Sequence, residues 1–178
     1  MKKTIFTTFC ITVVFSVFQL SAFANDFKSK AISAFQEFRK ANDEWSAVFM
    51  SGDSDTRKEK GEQLTVCKDN FTRILRSLPG EYCADPDVDV LREFIKTLIS
   101  ITDEYPTYVF AEMYACDPDT VTKEIMSLSS EDQKKIVENL DWGFKNVSYK
   151  LKSYPNYKEL TEKLDKLKSM TRHPKSHS

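Results

Sequence analysis

The sequence predicts an all-α protein, with a single compact domain of six to seven helices behind a cleavable signal peptide. Apolar residues recur every three or four positions along most of the chain, and prolines follow residues typical of helix starts. No stretch alternates apolar and polar residues between turn signals, as a strand would. Residues 83–88 and 116–121 resemble each other at a separation of 32 to 33 positions, so an arrangement of repeated α-hairpins is an alternative within the same class.

The first 24 residues have the organisation of a secretory signal peptide. They combine a cationic start, an apolar run over residues 5–20, and the small residues Ala22 and Ala24. Cleavage after Ala24 leaves a helical domain over residues 25–170 and a basic tail over residues 171–178, which we expect to be disordered. A leader that opens Met-Lys-Lys is typical of bacteria, so the expected location is the periplasm or the outside of the cell. No later segment is apolar for long enough to form an integral membrane segment.

The first two helices of the domain are predicted from the spacing of apolar residues. The first has Asp26 as its N-cap and an apolar face made of Phe27, Ala31, Phe35, Phe38, Trp45 and Phe49. The second is indicated by Leu64, Cys67, Phe71, Ile74 and Leu78. Pro79 and Gly80 predict the end of this second helix.

The later helices are predicted from prolines at Asp85-Pro86, Tyr105-Pro106, Asp117-Pro118 and Tyr154-Pro155. The two aspartates are predicted N-caps, and a proline is well suited to the first helical turn because its missing N–H is not needed there. We expect helices near residues 86–102, 106–115, 118–127, 130–148 and 155–170. Ser130 and Gln133 predict a capping box at the start of the fourth of these.

Three cysteines follow the predicted cleavage site, Cys67, Cys83 and Cys116, and all three are disulfide candidates. An oxidising compartment permits one pair. Pairing Cys67 with Cys83 closes a short loop, whereas pairing Cys83 with Cys116 links two similar helix starts. The remaining alternative is that all three are small buried residues. A catalytic thiol is not expected, because the only histidines, His173 and His177, lie in the tail.

Charge is unevenly distributed along the chain. Without the two lysines of the leader, 24 basic residues oppose 27 acidic ones, a net charge of −3. Residues 81–119 contain ten acidic and two basic residues, and residues 145–178 contain nine basic and three acidic residues. An acidic stretch interleaved with aromatic residues is typical of a surface that binds a basic protein. The predicted partner-binding residues are Asp85, Asp87, Asp89, Glu93, Tyr105, Tyr108, Glu112 and Asp119.

Two alternatives to that interpretation stay open. The acidic residues also serve to cap helices and solvate an outer face, while the tyrosines fill the core. The basic C-terminal helix also invites a nucleic-acid interpretation, but its apolar stripe favours packing on the domain, and export argues against nucleic acid as a partner.

Metal ions and cofactors are not expected. Asp85, Asp87 and Asp89 imitate the start of a calcium loop, but Val90 replaces the required glycine and Lys96 the bidentate glutamate. Zinc is disfavoured because no Cys-x-x-Cys pair exists and no histidine lies outside the tail. The four glycines are not clustered, so the chain has no loop to hold phosphates.

The sequence therefore predicts an exported protein that acts by binding, not by catalysis. The leading hypothesis is an immunity or inhibitor protein that neutralises a toxin or hydrolase by steric and electrostatic occlusion. One alternative is a periplasmic chaperone or envelope-assembly adaptor with an exposed aromatic groove. Another is a carboxylate-dependent hydrolase of envelope polymers that uses Glu104 and Glu112. The oligomeric state and the identity of the partner are not indicated.

Overall fold

The computed structural model describes residues 3–50 and 52–151, together with residues 158, 161–162, 165–166 and 169. Side chains are described for 26–50, for 52–142 and for the six isolated positions. Within this part of the chain, the regular structure consists of six helices and no strand. They are α1 (Lys3–Phe49), α2 (Ser54–Ala84), α3 (Val88–Ser100), α4 (Glu104–Cys116), α5 (Pro118–Met126) and α6 (Ser130–Leu151). The prediction of an all-α, single-domain protein is confirmed.

Several predictions fall partly or wholly outside the described residues. The side chains of the predicted signal peptide are not among those described, so its cleavage stays a prediction. Of the seventh predicted helix, 155–170, the structure describes six positions, all of which are helical. The predicted tail, 171–178, lies outside the described residues. No helix in the described part of the chain has an apolar stretch long enough to cross a membrane.

The start of α1 differs from the prediction, because Asp26 is not an N-cap. The helix begins on the N-terminal side of Asp26, at Lys3, so the amides near Asp26 have carbonyl partners one turn earlier and need no cap. The carboxylate of Asp26 instead pairs with Lys30, at 2.5 Å. The predicted apolar face is present, since Phe35 and Phe38 are buried.

The predicted end of α2 is wrong, because the helix continues through Pro79 and Gly80 to Ala84. A proline inside a helix costs about 3 kcal/mol, since it removes one backbone hydrogen bond and crowds the preceding turn. Two contacts beyond Pro79 hold the last turn in place. Tyr82 is buried in the core, and Cys83 is joined to Cys116 by a disulfide. Tertiary packing therefore outweighs the local preference to end the helix.

Asp85 is not the N-cap of α3, because α2 uses it as its C-cap, with the N–H of Asp85 donating to the Glu81 carbonyl at 3.0 Å. Asp87 caps α3 instead, accepting hydrogen bonds from the N–H groups of Asp89 and Val90. The cap moved by two residues because α2 extends six residues beyond the predicted end at Leu78.

The predicted cap of α5 is confirmed, whereas that of α6 is off by one residue. Asp117 accepts from the N–H of Thr120, and Pro118 lies in the first turn of α5. At α6 the capping pair is Ser129 and Asp132, because the N–H of Asp132 donates to Ser129 Oγ at 3.1 Å. Gln133 instead donates to two carbonyl groups that precede α6.

The core lies between the helices and is rich in phenylalanine. Phe35 of α1 is fully buried and contacts Phe71 of α2 and Phe94 of α3, with ring centroids 5.8 and 5.5 Å apart. Phe38 stacks on Phe71 with centroids 4.4 Å apart. These contacts join the first three helices into one body, against which α4 packs through Phe110, also fully buried.

The body has two ends. At the disulfide end, α2 and α4 finish and α3 and α5 begin. At the opposite end, Arg39 of α1 donates to Thr97 of α3 at 2.9 Å, and Asn139 of α6 donates to the Leu98 carbonyl at 2.9 Å. Lys68 of α2 lies 4.0 Å from Asp103 at the start of α4. The helices α1, α3 and α6 therefore run from the disulfide end to the opposite end.

Candidate protein-docking surface

The disulfide between Cys83 and Cys116 brings together two acidic loops that are 33 residues apart in sequence. The Cα atoms of the pair are 5.6 Å apart. One loop carries Asp85, and the other carries Asp117. Of the alternatives that the sequence left open, the structure contains the pair that links the two similar segments.

Cys67 is the remaining cysteine among the described residues, and it is a half-buried free thiol. Burial raises the pKa of the Cys67 thiol, with Glu37 and Glu44 adding to the effect. A thiol with a raised pKa is mostly protonated at neutral pH and therefore a poor nucleophile.

A pocket of about 90 Å³ opens at the disulfide end, between Phe27 and Lys28 of α1 and the α2–α3 loop. It has an apolar floor and a charged rim. The floor is made of Phe27, Leu78, Tyr82 and Val90, and the rim of Lys28, Glu81, Asp85 and Asp87. Three carboxylates and one ammonium group thus surround a small apolar cavity.

Tyr82 connects the floor of the pocket to the loop that begins α5. Its side chain is 2% exposed, and its hydroxyl points toward Asp117, 3.5 Å from a carboxylate oxygen. Burial raises the pKa of Tyr82 well above its ordinary value, and the nearby charge of Asp117 adds to the shift. The tyrosine therefore stays neutral and donates to the carboxylate, which fixes its ring in the floor.

Lys28 neutralises part of the rim. Its ammonium group lies 2.9 Å from Asp87 and 2.8 Å from Asp89. Hydrogen bonds to these two carboxylates raise the pKa of Lys28. Burial alone would raise the pKa of Asp87, but hydrogen bonds from Lys28 and the Val90 N–H outweigh that effect and hold it below its ordinary value. Asp87 and Asp89 therefore join α1 to the start of α3.

Glu93 also has partners inside the molecule. Its carboxylate pairs with Arg39 of α1 and, at 2.7 Å, with Lys96, and its side chain is only 13% exposed. Burial would raise the pKa of Glu93, but the hydrogen bonds from Lys96 and Arg39 lower it below its ordinary value. This residue fastens α3 to α1 and is poorly placed to bind another protein.

Glu81, Asp85 and Asp119 are different, because their side chains form no hydrogen bond or ion pair with any described residue. Asp85 and Asp119 are exposed, and Glu81 is half-buried at the pocket rim. Asp119 lies in the first turn of α5, three residues after Cys116. These three carboxylates are therefore available to an external cation at the disulfide end.

The predicted site residues of α4 do not join this group. Tyr105 is 37% exposed, but it lies eleven residues before Cys116, about 16 Å away along the helix. Tyr108 is half-buried and donates a hydrogen bond to Glu112 at 3.2 Å. Burial raises the pKa of Glu112. The structure thus separates Tyr105 from the acidic residues of the disulfide end and pairs Tyr108 with Glu112 within α4.

The pocket includes six residues that were not predicted as site residues, and two of these, Leu78 and Val90, are core residues of α2 and α3. Glu81 and Tyr82 lie within the acidic, aromatic stretch and next to Cys83, so the same composition signal covers them. Phe27 and Lys28 lie outside this acidic, aromatic stretch of the sequence. Only the packing of α1 against α2 and α3 brings them to the pocket.

Two other chemistries find no support in this geometry. In the part of the chain that the structure describes, no three His, Cys, Asp or Glu side chains are grouped to hold a metal ion. Glu104 and Glu112 are eight residues apart on α4, so their Cα atoms are separated by about 12 Å along the axis. Carboxyl groups that hydrolyse glycosides are about 5–9.5 Å apart.

No protein-family model, curated protein or solved structure matches this chain. The function of the chain is therefore inferred from the geometry of the disulfide end.

Proposed function

We propose that this chain is an exported protein that binds a basic protein through its disulfide end, as an immunity or inhibitor protein would do with a toxin or hydrolase. One observation carries the proposal. The side chains of Glu81 and Asp85 form no hydrogen bond or ion pair with a described residue, and they border a pocket whose floor includes Phe27 and Tyr82.

This arrangement suits a lysine or arginine side chain of the partner. The long aliphatic stem of such a side chain packs on apolar and aromatic surfaces while its charged head reaches polar groups. The carboxylates of Glu81 and Asp85 are placed to receive the head, and Asp119 extends the negative surface toward α5. Complementary charge also speeds the encounter between the two proteins. Binding of this kind blocks the partner by covering its basic cleft.

The placement of the other acidic residues refines the proposal. Asp87, Asp89 and Glu93 are held by Lys28 and Arg39, so they shape the pocket and the helix packing. A change at these three positions would disturb the fold as well as the surface. Substitutions of Glu81, Asp85 and Asp119 change the surface without removing an ion pair between helices. These three residues therefore test docking separately from folding.

Export to the periplasm belongs to the same proposal. The organisation of residues 1–24 supports a signal peptide that is cleaved after Ala24. The disulfide between Cys83 and Cys116 supports an oxidising destination, because such bonds persist mainly outside the reducing cytosol.

The experiment compares the wild-type chain with Glu81→Lys/Asp85→Lys as bait in periplasmic extract. The matched control is Glu59→Lys/Glu62→Lys, which makes the same charge change at exposed positions of the same helix. We expect a basic protein that binds to the wild type and the control but not to the pocket variant. Its retention by the pocket variant would contradict the proposed site.

Ionic strength separates the leading proposal from the alternative of a chaperone or assembly adaptor. Binding that depends on exposed charges weakens as salt screens them, with a screening length of about 8 Å at physiological ionic strength. We therefore expect release of the partner when salt is raised to about 1 M. A complex that survives this treatment would favour an apolar groove instead.

A further inference from the structure

Residues 42–70 form an arm that extends beyond the end of the body opposite the disulfide. The arm consists of the last turns of α1, the first half of α2 and the turn between them. None of its described residues, 42–50 and 52–70, is buried. By contrast, the neighbouring parts of α1 and α2 contribute ten core residues, namely Ala31, Ala34, Phe35, Phe38, Ala41, Phe71, Ile74, Leu75, Leu78 and Tyr82.

The apolar stripe of the core continues into the arm without a change of spacing. On α1, Trp45 and Phe49 follow Ala41 at intervals of four, and on α2, Leu64 and Cys67 precede the core at intervals of three and four. The ring of Trp45 lies against Gly61, where an added Cβ would be only 3.3 Å away. Yet Phe49 is 52% exposed. Pairing of the two helices covers one side of the stripe and leaves the other open.

The end of α6 extends beyond the body at the same end as the arm. Asn139 contacts the end of α3 through the Leu98 carbonyl and the Thr102 hydroxyl, at 2.9 Å each. Beyond Asn139, α6 continues for twelve residues to Leu151, a distance of about 18 Å. The chain therefore continues from a point level with the arm.

The segment that follows, residues 155–170, has the pattern of a helix with one apolar side. Its apolar stripe is made of Tyr157, Leu160, Leu164 and Leu167. Of the six described positions, all helical, five are exposed: Lys158, Glu162, Asp165, Lys166 and Ser169. At 100° per residue these five lie on the side opposite the apolar residues. The remaining position, Thr161, is half-buried and lies at the border of the apolar side.

Length and charge match this segment to the arm. Three residues, 152–154, link it to α6 and span at most about 11 Å, which covers the 8–10 Å between the axes of packed helices. Sixteen helical residues measure about 24 Å, close to the length of α2 within the arm. The arm contains seven acidic and four basic residues, a net charge of −3, whereas residues 155–170 contain four basic and three acidic ones, a net charge of +1.

We propose that residues 155–170 turn back from the end of α6 and cover the open stripe of the arm, with Leu160 and Leu164 packed near Trp45, Leu64 and Cys67. The occupant of this surface is thus a segment of the same chain. The inference does not depend on the proposed function, because it concerns the opposite end of the molecule.

Cys67 provides a built-in test of proximity. In the full chain carrying Cys10→Ser, a second cysteine is introduced in turn by Leu160→Cys, Leu164→Cys and Leu167→Cys, followed by mild oxidation. We expect at least one of the three to form an intramolecular disulfide with Cys67, while Glu162→Cys, on the polar side, forms none. Covalent dimers whose yield rises with protein concentration would show that a second copy covers the stripe and would overturn the proposal.

The reactivity of Cys67 is a second, independent measurement. We expect Leu160→Asn/Leu164→Asn to increase the rate of Cys67 labelling by Ellman's reagent about tenfold, because uncovering a thiol exposes it to reagent. The control Lys158→Asn/Glu162→Asn, which keeps the net charge, should label at the wild-type rate. If the wild type already labels as fast as the double leucine variant, the stripe is open in the native protein and the proposal fails. Circular dichroism confirms that each variant remains helical.

Discussion

Arg92 of α3 holds Glu124 of α5 through two hydrogen bonds, from Nε to Oε2 at 2.7 Å and from the guanidinium NH2 group to Oε1 at 3.2 Å. The Glu124 side chain is 7% exposed, whereas that of Arg92 is 53% exposed. The pair therefore fixes a buried carboxylate of the short helix α5 from the surface of α3. It also helps to position the α5 start that carries Asp119.

Replacement of Arg92 tests this attachment. We expect Arg92→Met to lower the free energy of unfolding, because it leaves a buried carboxylate without its partner. Urea denaturation followed by circular dichroism measures the change. Arg76→Met is the control, since Arg76 is exposed on α2 and its side chain forms no hydrogen bond or ion pair with a described residue. Equal losses in the two variants would mean that the ion pair contributes nothing.

The disulfide should stabilise the domain and organise the proposed docking surface. Cys83→Ser/Cys116→Ser opens a connection of 33 residues, for which loop-closure entropy predicts a loss of about 3–4 kcal/mol. Equilibrium denaturation of the variant and of Cys67→Ser, the matched control, measures this loss. A midpoint unchanged from the control would show that packing alone holds the ends of α2 and α4 together.

Gly80→Ala should make the protein more stable, which tests whether α2 truly continues past Pro79. A Cβ at position 80 would meet no atom within 4 Å, and no glycine has a positive φ among the described residues. Alanine is favoured over glycine inside a helix by about 1 kcal/mol. We expect Gly80→Ala to raise the free energy of unfolding by up to this amount, as measured by thermal denaturation. The increase should be smaller for Gly61→Ala, whose Cβ would crowd Trp45. A loss of stability at position 80 would place the end of the helix near Pro79 after all.

Acid should destabilise the domain through Glu93 and Asp87, whose pKa values are lowered in the folded state. The stabilisation from such groups is complete above the ordinary pKa, 4.5 for Glu93, and is lost as pH falls toward the lower folded-state pKa. We expect unfolding free energy to decline below that pH. Glu93→Gln should reduce stability at neutral pH but flatten the decline, whereas Glu62→Gln should change neither. An equally steep decline in Glu93→Gln would assign the acid sensitivity to other groups.

Much of the fold was predictable because its signals are local. The apolar spacing in α1 and α2, the Asp117-Pro118 cap and the proline in the first turn of α4 each depend on residues a few positions apart, although α4 begins at Glu104, two residues before the predicted start. The errors occurred where distant residues compete with local preference. Pro79 and Gly80 predict the end of a helix, but Tyr82, which is buried in the core, holds the last turn of α2 in place.

The candidate site was predictable only as a region of the chain. The composition of residues 81–119 selected Asp85 and Asp119, which follow the two cysteines of the disulfide, but it also selected Glu93, which is held by Arg39. No property of Arg39 or Lys28 in the sequence indicated these partners. Ion pairs between helices depend on which faces meet, and the spacing of residues within one helix does not contain that information.

The sequence by itself determined the class of the fold and the excess of acidic residues in its middle third, because helix periodicity and charge are properties of neighbouring residues. Only the tertiary structure decided which cysteines pair, which carboxylates are neutralised by α1, and which remain open around the pocket. These outcomes depend on contacts between residues tens of positions apart, such as Lys28 with Asp89 and Cys83 with Cys116. Such contacts form when the apolar faces of the helices pack, so they follow from the assembled core.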